Sequence, residues 1–336
     1  MEAIVYREYG TPDVLQLAEV AKPTPKDDEV LIEIHAASLN RGDWYMLSGK
    51  PFVVRLNPGG LLRPKNTILG GDVAGRVEAV GKDVRQFQTG DEVFGDISDF
   101  GMGALAEYVA VPENLLVQKP RNLSFAEAAA VPAAAVTALQ GIRDTGKIQA
   151  GQKALINGAS GGVGTYAVQI AKSYGTEVTA VCSTGKMDVM RLIGADHVID
   201  YTKQDFTQAG QYYDLIIGVN GHHSLSDYGR ALSPEGTYVC IGGTMSQLFG
   251  SMLLGPLLSK KGSRTMTCMG SVRINQEDLV VMKELLEAEK VVPVIDRQYQ
   301  LSETPEAFRY LGEGLAKGKV IIIVTQRGSI EGKTCQ

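Results

Sequence analysis

The chain has little cysteine: Cys182, Cys240, Cys268 and Cys335 are its four copies in 336 residues, and no two form a CxxC pair. That excludes a disulfide framework and a cysteine-rich zinc knuckle, and it fits a reducing compartment. Basic residues are not in excess either. The 33 Lys and Arg against 38 Asp and Glu leave a formal charge of −5, so the electrostatic footprint of a dedicated nucleic-acid-binding protein is missing. Long apolar runs are absent as well. The longest, LFGSMLLGPLL at 248–258, is too short to span a bilayer, and the start MEAIVYREYG lacks a basic region followed by an apolar one, so neither a membrane span nor a signal peptide is expected. These absences predict a soluble, cytoplasmic protein without a nucleic-acid partner. What the chain has in quantity is glycine: 39 copies in 336 positions, about 12% against a usual level of about 7% and with no collagen period, which predicts many tight turns and close backbone approaches.

The length predicts two domains. Residues 1–123 read as mainly β. In EVLIEIHAAS, Val30, Ile32, Ile34 and Ala36 alternate with Leu31, Glu33 and His35, the period of a half-buried strand. Two more strand-like runs are DVAGRVEAVG at 72–81 and LAEYVAVPENLLV at 105–117, and the stretch 51–71 with Pro58, Gly59, Gly60 and Pro64 reads as a long loop. From 124 to 270 the pattern changes: a helix over SFAEAAAVPAAAVTALQGI is followed by repeated strand and helix units, including KALIN, TEVTAVC, DHVID, YYDLIIGV, GTYVCIG and RTMTCMG. Six strands with intervening helices predict an α/β fold with a parallel, doubly wound sheet. Over 271–326, a helix at 276–290, the strand VVPVIDRQYQL, a helix at 304–317 and the strand GKVIIIVTQ read as a return to the first domain. The second domain is therefore expected to be inserted into the first. RGSIEGKTCQ at 327–336 reads as a polar tail.

The sharpest local motif is KALINGASGGVGTYAVQIAK, a short apolar strand running into Gly158, Gly161, Gly162 and Gly164. Val163, Tyr166, Ala167, Ile170, Ala171 and Tyr174 then recur at spacings of three and four, one apolar face of a helix. Against the dinucleotide fingerprint GxGxxG, Ala159 takes the first glycine position while Gly161 and Gly164 keep the others. Gly161 lets the backbone approach a pyrophosphate and Gly164 lets helix and strand pack closely. Ser160, Gly161, Gly162 and Val163 are the candidate anion cradle at the helix start. About 20 residues on, an NAD site places Asp or Glu on the ribose 2′-OH. This chain has Cys182, Ser183, Thr184 and then Lys186. Hydroxyls and an ammonium suit a 2′-phosphate, so NADPH is the expected cofactor, with Ser183 and Lys186 as its readers; the alternative is an ordinary strand end with a solvated lysine.

Together, SLNRGDWYMLSG (38–49), LGGDVAGRVEAVGKDVRQFQTGDEVFG (69–95), NGASGGVGTYAVQIAK (157–172), LIGADHVIDY (192–201) and GKVIIIV (318–324) resemble the medium-chain dehydrogenase/reductase superfamily, in its zinc-independent quinone oxidoreductase and enone reductase branch. The resemblance covers residues 1–326. It implies a GroES-like catalytic domain made from both chain ends, a central Rossmann domain, NADPH and a homodimer. Zinc-dependent relatives carry Cys where this chain reads SLNRGDW and GHE where it reads Gly70, Gly71, Asp72, so no metal site is expected. His35, in an alternating strand, and the adjacent His222 and His223 read as structural or solvated.

Without a Lewis acid, the chemistry implied is hydride transfer to an already electrophilic carbon, in a quinone or an α,β-unsaturated carbonyl. By its place in NxxDxY, Asn40 matches the family's active-site asparagine, and Tyr45 matches a pocket tyrosine that could donate to the oxyanion or supply the proton. The resemblance also places Thr137 in the cofactor cleft, Tyr201 near the 2′-phosphate, and Ile241, Gly242 and Gly243 by the nicotinamide half, with Gly270 and Lys317 as further cofactor contacts. One departure is visible: relatives carry Asp after the fourth strand where this chain has Gly218. The alternative readings are an alcohol or carbonyl dehydrogenase and a non-catalytic NADPH-binding structural or redox-sensing protein.

Overall fold

A computed structural model describes residues 1–220, 223–243, 245–259, 263–270 and 272–325. His222 and the tail at 327–336 lie outside the described residues. In chain order, β1 (Glu2–Val5) and β2 (Gln16–Glu19) pair antiparallel, and β3 (Glu29–Leu39), α1 (Arg41–Ser48), β4 (Asp72–Val80), β5 (Glu92–Asp96), β6 (Tyr108–Pro112) and β7 (Leu116–Gln118) follow. Next come α2 (Phe125–Ala129), α3 (Pro132–Leu139), β8 (Lys153–Asn157), α4 (Gly162–Ser173), β9 (Glu177–Cys182), α5 (Met187–Leu192), β10 (His197–Asp200) and β11 (Tyr213–Gly218). After these stand α6 (Leu225–Ala231), β12 (Leu232–Cys240), α7 (Met245–Leu253), α8 (Gly255–Ser259), β13 (Thr265–Cys268), α9 (Gln276–Glu287), β14 (Ile295–Gln300), α10 (Thr304–Gly312) and β15 (Lys319–Ile323).

Strands β8 to β13 form one parallel sheet in the order β10-β9-β8-β11-β12-β13. The order reverses between β8 and β11, which opens a crevice at the carboxyl ends of those strands. The second sheet runs β14-β15-β3-β4-β5-β7, with β6 also on β3. Its β15 lies antiparallel to β3, Val320 facing Leu39 and Ile321 facing Ser38. The end of the chain thus closes the sheet that its beginning started, and the Rossmann sheet is an insertion, as expected.

Three local expectations change. Strand β3 is buried on both faces rather than one, because Ile32 and Ile34 point into one core while Ala36 meets a second core that α2 and α3 help to build. The single helix expected from Ser124 is two. Ser124 and Glu127 cap α2 reciprocally, Ser124 N donating to the Glu127 carboxylate at 2.8 Å, and Pro132 starts α3 because its missing N–H is tolerated only in a first turn. Helix α9 sends Leu279, Met282 and Leu286 into the core shared with α3 and α4, so this helix of the returning segment also serves the inserted sheet.

Candidate active site

Where the two sheets meet there is a cavity of about 340 Å³. The start of α1 supplies Asn40 and Arg41, the β4 and β5 strands bring Gly71 and Asp96, and Thr137 and Val163 close it from α3 and α4. Asn40 has extended backbone (φ −121°, ψ 164°) and ends β3 as α1 begins. Its backbone amide donates to Asp43 Oδ2 at 2.7 Å, and its side-chain amide donates to Asp72 Oδ2 at 2.8 Å.

Asp72 is the hub beneath this wall. The ammonium of Lys319 donates to Asp72 Oδ2 at 3.1 Å and to Asn40 Oδ1 at 2.6 Å; the Ser38 hydroxyl donates to Asp72 Oδ2 at 2.6 Å and the Ala133 amide to its Oδ1 at 2.8 Å. Antiparallel register sets Asp72 opposite both Ser38 and Asp96. Asp43 accepts the Gly70 amide at 3.2 Å, and burial pushes its carboxyl up to about 6, the Asp72 charge adding to the rise against the Asn40 amide, Lys319 and the Gly70 amide. Burial, and then the neighbouring Asp72, push Asp96 up to about 7 against the Ser98 hydroxyl and amide. Asp72 and Asp43 therefore both feel one buried ammonium, and Asp96 meets Asp72.

Tyr45 does not reach this cavity. The first turn of α1 borders it, whereas Tyr45 belongs to the second turn, where its ring lies 5.6 Å from the Arg41 guanidinium and the neighbouring Trp44 packs on Gly312 of α10. Thr137 borders the cavity, but its hydroxyl donates to the Ala133 carbonyl of its own helix at 2.6 Å. His35 stacks on Phe125 with ring centres 4.2 Å apart. His223 sits edge-on to Phe206 at 4.9 Å.

The glycine turn fits a pyrophosphate. A Cβ at Gly161, which precedes α4, would meet nothing closer than the Gly158 oxygen at 3.8 Å, so the backbone face is open, while at Gly164 it would lie 2.2 Å from that same oxygen. Gly164 is therefore a packing requirement. The first amides of α4 have no acceptor within the helix, and Val163 borders the cavity, so this anion-binding end and the Asn40 wall face one space. Ser160 is buried in the turn.

Past β9, Ser183 precedes a short turn, and the Lys186 ammonium donates to the Ala316 carbonyl at 3.0 Å. Burial lowers the Lys186 ammonium; Asp296 and Cys182 oppose the shift and Lys317 adds to it. Lys186 and Lys317 thus approach one another across the domain junction. Tyr201 is 60% exposed just after β10. The Thr184 hydroxyl is committed to Asp200. At the end of β12 the Ile241 and Gly242 amides donate to the Gly218 carbonyl at 2.9 and 3.1 Å, and Gly270, with φ 75°, has open space where a Cβ would be. The departure at Gly218 has a steric cause: a Cβ there would lie 2.7 Å from the Tyr238 hydroxyl.

Among the described residues, no group of three His, Cys, Asp or Glu side chains is disposed to hold a metal ion, and the Asp72 oxygen nearest the cavity wall is taken by Lys319, Ser38 and Asn40. Sequence reading missed Asp43, Asp72, Asp96 and Lys319 as a unit. The one local signal was the carboxylate retained in Gly70-Gly71-Asp72 where zinc enzymes carry GHE.

Residues 26–121 match the family described as "Alcohol dehydrogenase GroES-like domain" and residues 193–322 the one described as "Zinc-binding dehydrogenase". The chain belongs to the medium-chain dehydrogenase/reductase superfamily, in its quinone oxidoreductase and enone reductase branch. It is 38% identical to 2-methylene-furan-3-one reductase of Solanum lycopersicum, covering 96% of this chain and 79% of that one. It is 35% identical to NADPH-dependent alkenal/one oxidoreductase, chloroplastic, of Arabidopsis thaliana, with the same two coverages of 96% and 79%. Among solved structures, the quinone oxidoreductase from Coxiella burnetii matches with a TM-score of 0.84 and 30% identity over 97% of this chain and 99% of that one.

Proposed function

We propose that the chain is an NADPH-dependent, zinc-independent oxidoreductase that transfers hydride to a quinone or to an activated alkene, an enone or enal. The observation that carries this reading is the single cavity bordered both by the start of α4 and by Asn40 above the buried charges. Bound at the glycine turn, the nicotinamide cofactor supplies the hydride. The chain does the rest. The turn amides at Ser160, Gly161, Gly162 and Val163 hold the pyrophosphate, while Ser183, Lys186, Tyr201 and Lys317 take the 2′-phosphate. Ile241, Gly242, Gly270 and Thr137 border the nicotinamide half. Asn40, with one amide hydrogen on Asp72, keeps a second for the substrate oxygen on which negative charge develops. An electrophilic substrate takes the place of the Lewis acid.

No helix among the described residues is long and apolar enough to cross a membrane. We read the protein as cytoplasmic and homodimeric, with domain divisions at 123/124 and 270/271. The dimer is supported by the sheet edge that β13 leaves and by the exposed Phe249, Met252 and Leu253 on α7. The test is a panel of quinones, enals, enones and alcohols with NADPH oxidation or NADP⁺ reduction as readout, beside sedimentation analysis. Turnover of quinones or enones is expected; turnover of alcohols alone overturns the reading.

A further inference from the structure

The register that sets Asp72 opposite Asp96 puts two carboxyl groups side by side in a buried place. Repulsion makes the second ionisation costly, so below about pH 7 the pair holds a proton. Its location follows from the donors. Asp72 accepts from the Lys319 ammonium at 3.1 Å, the Ser38 hydroxyl at 2.6 Å, the Asn40 amide at 2.8 Å and the Ala133 amide at 2.8 Å. Every partner is a donor and one is a cation, so Asp72 keeps the charge. Asp96 accepts at Oδ1 from the Ser98 amide at 2.9 Å and from the Ser98 hydroxyl. It is the carboxyl poorer in donors, and the proton is on it.

Asp96 and Ser98 both border the cavity. Gly71 keeps the way open: a Cβ there would lie 3.1 Å from the Ser98 Cβ and 3.3 Å from Asp96 Oδ2. Tyr45 stands outside this lining. We propose that Asp96, handing its proton on through the Ser98 hydroxyl, is the proton source for an enone bound in this cavity, a step that rests on the reductase reading above. Hydride arriving at the β-carbon forms a C–H bond, breaks the C=C π bond and leaves an enolate. The Ser98 O–H bond breaks as its proton goes to the α-carbon, and the Asp96 proton replaces it on Ser98 Oγ. Asp96 is left as a carboxylate against Asp72, and this repulsion draws the next proton from solvent. Ser98 is the group that touches substrate; Asp96 acts through it.

The charged group set against Asp96 is Asp72 on β4, which carries Lys319 of β15; Arg41 and Asp43 on α1 and Asp99 in the turn after β5 border the same cavity. The Tyr166 phenol nearby stays protonated, its ionisation pushed far up by burial. The test has two readouts on the full-length protein. Infrared spectroscopy with carboxyl-labelled aspartate is expected to show, beside an Asp43 band that is lost near pH 6, a protonated carboxyl band in the wild type that disappears as pH rises through about 7, is missing in Asp96→Asn and persists in Ser98→Ala. Enone kcat is expected to fall in the wild type over the same pH range, and to fall about a hundredfold in Ser98→Ala and in Asp96→Asn with that pH dependence gone. Should Asp96→Asn not fold, Ser98→Ala carries both readouts. A band unchanged by Asp96→Asn overturns the proposal. So do Ser98→Ala rates and pH profile equal to wild type, or loss of the pH profile in Tyr45→Phe instead. A wild type that turns over quinones but not enones removes the relay alone; one that turns over neither removes the reductase reading as well.

Discussion

Replacing Lys319 by methionine keeps the length of the side chain and deletes the ammonium that Asp72 faces in a place where the two are 2% and 0% exposed. Removing one partner of a buried ion pair leaves the other charge desolvated without compensation, which costs about 3–5 kcal/mol. Asp72 keeps three donors, Ser38, Asn40 and the Ala133 amide, and hydrogen bonds to a charged group are each worth roughly 1.5–3 kcal/mol. The loss should therefore fall at the low end, about 3 kcal/mol. Asp72→Asn should cost a similar amount, because Lys319 is then left buried with only neutral amide oxygens, that of Asn40 among them, in place of its counter-charge. The double variant Asp72→Asn/Lys319→Met removes both charges, so it should be more stable than the sum of the single losses by on the order of 2 kcal/mol, a coupling typical of residues in direct contact. The assay is denaturant unfolding followed by the fluorescence of Trp44, the single tryptophan, which lies on α1 next to the site. A Lys319→Met loss below about 1 kcal/mol, or strict additivity in the cycle, would mean that water reaches the pair and that Lys319 is not what neutralises Asp72.

Burial and Asp72 hold Asp43 at about 6 and Asp96 at about 7 in the fold, both above the ordinary value of 3.8, so the native state binds these two protons more tightly than the unfolded chain. Their stabilising contribution is full below the unfolded value and is lost as pH rises through the folded ones; Asp96→Asn should accordingly gain on the wild type by on the order of 2 kcal/mol between pH 5 and pH 8, and parallel melting curves across that range would refute it. Lys186→Ala should weaken NADPH about ten- to thirtyfold, the range of a charge-assisted hydrogen bond in a partly exposed pocket, and leave NADH nearly as before; equal losses in titration calorimetry would remove the 2′-phosphate assignment. Gly218→Asp should destabilise by about 1–3 kcal/mol, because Tyr238 is buried and stacked on Tyr228 at 4.2 Å and has nowhere to move its hydroxyl; Tyr238→Phe in the same chain should recover part of the loss, and a single variant that melts like the wild type would show that the steric account is wrong.

The parts of this molecule that could be read from its sequence are those whose cause lies within one turn or one strand. The run from KALIN through Gly161 to Tyr174 combines a strand, a glycine spacing and an apolar face, and each is a local pattern, so β8, the turn and α4 stand where the residues put them. Strand β3 shows where this ends: its alternation is real, yet what covers its second face is α2 and α3, about a hundred residues on, and no window on β3 contains them. Tyr45 is a related case. The NxxDxY spacing places a helix cap at Asn40, but which residues of that helix line the cavity depends on its packing, Trp44 on Gly312 among it. The buried charges were the least legible. Asp72 is joined to Asn40 across 32 positions, to Ser38 across 34, to Ala133 across 61 and to Lys319 across 247. Taken singly, Asp72 is a strand-opening carboxylate and Lys319 a cation ahead of VIII, each with an ordinary solvated role. Only the closing of β15 on β3 turns them into a pair, and only the pairing of β4 with β5 adds Asp96 to it. The upward shift of Asp96 thus comes from its burial and from Asp72, a neighbour that only the pairing of β4 with β5 supplies, a property of the closed sheet and not of any segment within it.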